Sequence, residues 1–119
     1  MRHQKAGRKF GRVRRQRKAL KGMLLSGLIL HEKMKTTEAK AKETKDLIDR
    51  VINKAKKITD TNKVAVIRDL RRSLPLVAVK KLSGDFTKKF SGRKSGYTRI
   101  IKLGARKSDG AKMAIIEFV

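Results

Sequence analysis

The sequence predicts an α+β fold: about four helices packed with a small C-terminal antiparallel sheet, preceded by an extended basic N-terminal arm. Three observations carry this. Apolar residues recur at helical spacing from about residue 20 to residue 90. The texture changes at Ser91, after which two Ile- and Val-rich stretches flank an Asp-Gly turn signal. The first 21 residues, MRHQKAGRKFGRVRRQRKALK, are crowded with cations, interrupted by Gly7 and Gly11 and poor in apolar side chains. A segment of that composition builds no core of its own and is ordered by a partner.

The arm is assigned to residues 1–12 and a single body to 13–119, since 119 residues suit one domain. The first helix is expected over about 13–32, with Leu20, Met23, Leu24, Gly27, Leu28 and His31 on one face and Leu25 and Ile29 widening it. Gly22 and Gly27 weaken its intrinsic propensity, so it relies on packing or on a close neighbour. Lys35-Thr36-Thr37 breaks the pattern, and Thr36 or Thr37 is placed to cap a second helix over about 38–57. That helix carries the clearest apolar stripe: Leu47, Ile48, Val51, Ile52, Ala55 and Ile58. Glu38–Lys42 and Asp46–Arg50 are well-oriented i,i+4 pairs. A third helix over about 62–72, capped by Asp60 or Thr61, turns Val66, Ile67 and Leu70 inward. Pro75 then ends it or starts the next element. A fourth over about 76–90 buries Leu76, Val79, Leu82, Phe86 and Phe90, with Ser83-Gly84-Asp85 as a point of interruption. After a basic SGRKSG loop, strands are expected over 97–103 and 112–119, joined through Asp109-Gly110. Two strands do not hold together alone, so helices cover one face. Adjacent pairs Ile100-Ile101 and Ile115-Ile116 suggest that both faces are partly buried, through another strand or a twisted edge.

Composition narrows function. Lys and Arg number 34 against 10 Asp and Glu, a formal net charge of +24, and aromatic residues are only 4%. Such a chain calls for a polyanionic partner, and a pocket enzyme with a small neutral substrate is a poor match. The absence of cysteine excludes disulfides, thiolate metal sites and thiol nucleophiles. No apolar run approaches the roughly 18 residues that cross a bilayer. His3 and His31 are the only histidines, and His31 reads as a helix-end residue facing the core or a partner rather than as a base. No catalytic residue, metal site, cofactor or small-molecule substrate is expected. Gly92-Arg93-Lys94-Ser95-Gly96 lacks the order of a nucleotide-binding loop, although its N–H groups and two cations suit backbone phosphates.

Phosphate contact and counterion release make nucleic acid the strong reading. Residues 1–31 hold ten Lys and Arg and no acid. Arginine's fork of donors grips phosphate in pairs, so Arg8, Arg12, Arg14, Arg15 and Arg17 come first, supported by Lys5, Lys9, Lys18 and Lys21. A second patch comprises Lys88, Lys89, Arg93, Lys94, Arg99, Arg106 and Lys107, with Phe10 and Tyr97 as bases' stacking partners or as packing residues. Composition leaves RNA and duplex DNA both open, although an arm joined to a small body suits folded RNA with narrow crevices.

Three segments go further: MRHQKAGRKFGR at 1–12, LILHEKMKTTEAKAKE at 28–43 and GYTRIIKLGARKSDGAKMAIIEFV at 96–119. In these the chain resembles the seventeenth family of bacterial large-subunit ribosomal proteins, over nearly its whole length and in order. The resemblance implies a structural, non-catalytic component of the large ribosomal subunit, in the cytoplasm. It would bind large-subunit ribosomal RNA and neighbouring large-subunit proteins in support of translation. It implies a helical fold with a small sheet, and an RNA-contacting arm that includes Arg2, His3, Lys5, Gly7, Arg8, Lys9, Gly11 and Arg12, continued by Lys18 and Ala19. It also matches Gly96, Tyr97, Thr98, Arg99 and Ile100 to the family's entry to the final hairpin. Two places depart from the family's pattern. Arg14-Arg15-Gln16 stands where small hydroxyl residues and a His are usual, and Gln4 stands where a basic residue is common.

Overall fold

The computed structural model describes residues 3–4 and 7–119. Helix α1 (Arg14–His31) leads into strand β1 (Lys33–Thr37), helix α2 (Glu38–Lys56), helix α3 (Lys63–Leu70) and helix α4 (Leu76–Ser83). A 3-10 helix (Asp85–Phe90) precedes strands β2 (Thr98–Ala105) and β3 (Lys112–Phe118). The expected α+β class holds. The expected fourth helix divides at Gly84, whose extended backbone separates α4 from the 3-10 helix.

The sheet has three antiparallel strands in the order β1-β3-β2. Strand β1 occupies the Lys35-Thr36-Thr37 stretch that the sequence pattern marks as a break between helices. Its residues satisfy the strand period: Met34 and Thr36 lie opposite Ile116 and Ala114, while Lys33 and Lys35 turn outward. Thr37 does end the strand as the residue before α2, in extended backbone, but its hydroxyl makes no capping bond. The third strand accounts for only part of the doubled isoleucines. Ile116 is fully buried, whereas Ile101 is 43% exposed on the outer face. On that face Glu117 lies between Lys33 and Arg99 across three strands, bonded to Arg99 at 2.9 Å and paired with Lys33 at 3.8 Å. Strand β2 carries one extra residue between Lys102 and Ala105, a bulge at Leu103-Gly104.

The core lies between the inner sheet face and the helices. From α1 it takes Leu25, Leu28 and Ile29, not the face centred on Leu24, and Met23 is 73% exposed. Gly22 explains the rotation: a Cβ there would stand 2.8 Å from the carbonyl oxygen of Ser73, so α1 approaches the link before α4 at backbone distance. The stripe of α2 buries Ala41, Ile48, Val51, Ile52 and Ala55 as its periodicity requires. Leu70 is buried from α3, and α4 contributes Ala78, Val79 and Leu82, while Leu76 is 41% exposed. Phe86, Phe90, Tyr97 and Phe118 form an aromatic cluster with centroid separations of 5.1 to 5.5 Å, three of its pairs edge-to-face.

Candidate nucleic-acid interface

Helix α1 begins with Arg14, Arg15, Arg17, Lys18 and Lys21 and has no acid in its first turn. Because α1 packs through its C-terminal half, this basic half projects between two grooves. One, of about 430 Å³, runs between α1 and α2 and is lined by Arg14, Arg17, Lys18, Lys21, Arg50 and Lys54 around a floor that includes Leu25, Leu47 and Val51. The other, of about 670 Å³, lies between α1 and the link before α4, with Arg15, Lys18 and Arg72 over Ala19, Met23 and Pro75. Among the described residues, no carboxylate lines either groove. Asp69 stands at the edge, paired with Lys54 at 3.1 Å and with Arg72 at 3.9 Å. A row of cations over a partly apolar floor attracts a phosphate backbone and leaves room for sugar and base edges.

Arg50, Lys54 and Arg72 were not among the expected site residues. The sequence pairs Arg50 with Asp46 along the helix, and Lys54 falls near the helix end, where a cation suits the helix dipole. Among the described residues Asp46 and Arg50 form no ion pair, whereas Glu38 and Lys42 close at 2.9 Å. What puts Arg50 and Lys54 beside α1 is interhelical packing, which only their i,i+4 spacing on one side of α2 signals.

The arm differs from an extended chain. Phe10 and Gly11 both have positive φ, 53° and 62°, and the amide of Arg12 bonds the carbonyl of Lys9, so residues 9–12 turn tightly. The Arg12 guanidinium donates to the carbonyl of Phe10 at 2.8 Å, and that of Arg17 to the carbonyl of Arg12 at 2.7 Å. Arg8 and Lys21 flank Glu43 of α2, at 3.6 and 3.3 Å. His3 and Lys9 are exposed. Of the expected arm contacts, Arg2 and Lys5 lie outside the described residues.

The second patch is divided. Arg99 is engaged by Glu117, and Arg106 holds Asp109 through two bonds of 2.9 and 2.6 Å across the β2–β3 turn. This grip, with the amide of Ala111, lowers the Asp109 carboxyl to about 2. Lys88 pairs with Asp85, and Lys89 bonds Glu32, which lowers the Glu32 carboxyl. Lys94 and Lys107 are exposed and carry no ion pair among the described residues.

Tyr97 is a correction. It has no exposed surface, so its ring cannot stack on a base. It packs edge-on against Phe90, and its hydroxyl donates to Asn53 at 2.5 Å. Phe10 is half-buried. His31 is exposed at the end of α1, so it does not face the core. Among the described residues no cluster of His, Asp or Glu is placed to hold a metal ion, and no helix is long and apolar enough to cross a membrane.

The comparisons bear on what this basic surface belongs to. The family profile described as Ribosomal protein L17 matches residues 20–119. The chain is also similar, over its full length, to proteins named Large ribosomal subunit protein bL17. That of Thermomicrobium roseum is 45% identical and covered to 99%. That of Thermodesulfovibrio yellowstonii is 45% identical and covered to 87%, and that of Chlorobium chlorochromatii 44% identical and covered to 75%. The chain belongs to the ribosomal protein L17 family. It is a family of ribosomal structural proteins, not of enzymes. The similarity to these relatives spans both the helices that build the grooves and the final hairpin, while the family profile begins at Leu20, after Arg14, Arg15, Arg17 and Lys18.

Proposed function

We propose that the chain is a structural constituent of the large ribosomal subunit in the bacterial cytoplasm, where it binds folded ribosomal RNA and supports translation beside neighbouring large-subunit proteins. The observation that carries this is the pair of carboxylate-free grooves on either side of α1. Arg14, Arg15, Arg17, Lys18 and Lys21 supply the first contacts with phosphate, joined by Arg50, Lys54 and Arg72. Residues 1–12 act as an arm on a body formed by 13–119. Arg2, His3, Lys5, Arg8, Lys9 and Arg12 extend the same contact along the RNA. Arg93, Lys94, Arg99, Arg106 and Lys107 form a weaker second contact, since three of them already serve the protein's own acids or carbonyls. Binding of this kind reads shape and backbone and involves no turnover. Sucrose-gradient fractionation of cells tests it. The protein sediments with the large subunit through a high-salt wash; protein found free, or following DNA, overturns the reading.

A further inference from the structure

Glu43 sits where an RNA-binding surface should least tolerate it. It lies on α2 beneath the arm and is 8% exposed. A carboxylate beside a phosphate track repels the ligand, and a buried one must be compensated. Its compensation comes from two separate elements. Arg8 of the arm approaches one oxygen at 3.6 Å, and Lys21 of α1 approaches the other at 3.3 Å. The arm is fitted to the carboxylate at the neighbouring residue as well. Gly7 has φ of +93°, and a Cβ built there would lie 3.5 Å from Oε1 of Glu43. After this point the chain makes its 9–12 turn and enters α1, so the carboxylate fixes where the cations of the arm lie relative to those of the helix.

We infer that Glu43 is a positioning residue for RNA binding: its carboxylate docks the arm through Arg8 against Lys21, so that the cations of arm and helix are aligned before RNA arrives. The inference rests on the RNA-binding reading above. A flexible polycation loses ordering entropy on binding, and a docked one has lost part of it already. The acid therefore strengthens anion binding although its own charge opposes it.

This reverses the sign that simple electrostatics gives. Glu43→Gln removes a negative charge at constant shape, and bulk charge alone predicts tighter RNA binding. Docking predicts weaker binding. The experiment measures affinity of the full chain for purified bacterial large-subunit ribosomal RNA at fixed salt, for wild type, Glu43→Gln, Arg8→Gln and the double variant. Glu43→Gln weakens binding by about threefold to tenfold, and the double variant is no weaker than Arg8→Gln, as for residues sharing one network. Limited trypsin digestion without RNA supplies a second readout: cleavage after Arg8 and Lys9 is faster in Glu43→Gln. Tighter or unchanged RNA binding by Glu43→Gln, additive losses, or unchanged cleavage overturns the inference. Should Glu43→Gln fail to fold, cleavage after Lys9 in Arg8→Gln, which leaves the core intact, decides alone: acceleration supports docking and no change refutes it. Wild-type protein that does not bind the RNA while its arm is protected refutes the RNA reading instead.

Discussion

Lys56 is the cation whose loss should cost the fold most. From the last turn of α2 its ammonium donates to the carbonyl of Phe90 at 2.8 Å, to the hydroxyl of Tyr97 at 3.1 Å and to the carbonyl of Arg93. It also lies 5.2 Å from the centroid of the Tyr97 ring. Asp49 and Asn53, earlier on the same helix, accept from the amides of Gly96 and Tyr97 and from the Tyr97 hydroxyl. Together they strap the 90–97 segment to α2. Lys56→Met keeps the stem and removes the charge. The Arg93 carbonyl then turns to water, and the Tyr97 hydroxyl keeps Asn53. The Phe90 carbonyl keeps the amide of Arg93 at 3.0 Å but loses its bond to the ammonium, so the loss is about 2 kcal/mol, within the range for a hydrogen bond to a charged group. With a urea slope of about 1.5 kcal/mol/M for a domain this small, the unfolding midpoint falls by about 1.3 M. Tyr97→Phe acts in the same network, so the double variant should lose less than the sum of the singles by about 0.5 kcal/mol or more. Hydrogen exchange at the amides of Gly96 and Tyr97 should accelerate in Lys56→Met. A change below about 0.5 kcal/mol, which is the scale of an ordinary surface substitution, would refute the reasoning.

Three further outcomes follow from local geometry. Gly22→Ala gains helix propensity but drives a methyl into the Ser73 carbonyl; thermal unfolding should show net destabilisation of about 1 kcal/mol. Thr98 is buried with its hydroxyl unpaired, so Thr98→Val should leave stability unchanged or raise it by up to about 1 kcal/mol in the same urea assay. Asp109 is held at about 2, below its ordinary 3.8, by Arg106; its contribution is therefore complete above about pH 4 and is lost as pH falls through about 2. An NMR titration of the Asp109 carboxyl should show that midpoint, and Arg106→Gln should return it towards the ordinary value.

How far the sequence disclosed this arrangement depended on how one-sided each pattern was. Helix α2 has a single apolar stripe, so its extent and its buried face could both be read. Helix α1 is apolar almost all round over residues 23–30, so periodicity predicted a helix but not its rotation, which the contact of Gly22 with Ser73 sets. Strand β1 alternates correctly, yet Thr36-Thr37 also reads as a capping pair, and the strand's partner β3 lies far along the chain. Such long-range pairing leaves little local trace. The basic half of α1 was legible from charge alone. Arg50, Lys54 and Arg72 joined it only through helix packing, and Tyr97 left it because three polar side chains of α2 draw the ring-bearing segment inward.

The central claim is that the cations flanking α1 carry the RNA contact. It is tested most directly by the salt dependence of binding to purified large-subunit ribosomal RNA, comparing wild type with Arg14→Gln/Arg15→Gln/Lys18→Gln. None of these three side chains carries an ion pair among the described residues, so their loss should spare the fold. Each lost phosphate contact removes about 0.7 to 0.9 from the log–log slope, so the triple variant should bind more weakly with a slope shallower by about 2 to 3. The matched triple Arg99→Gln/Arg106→Gln/Lys107→Gln should change it by about 1 or less, since two of its three cations are held by acids of the protein. An unchanged slope in the α1 variant, or a larger loss in the hairpin variant, would contradict the account.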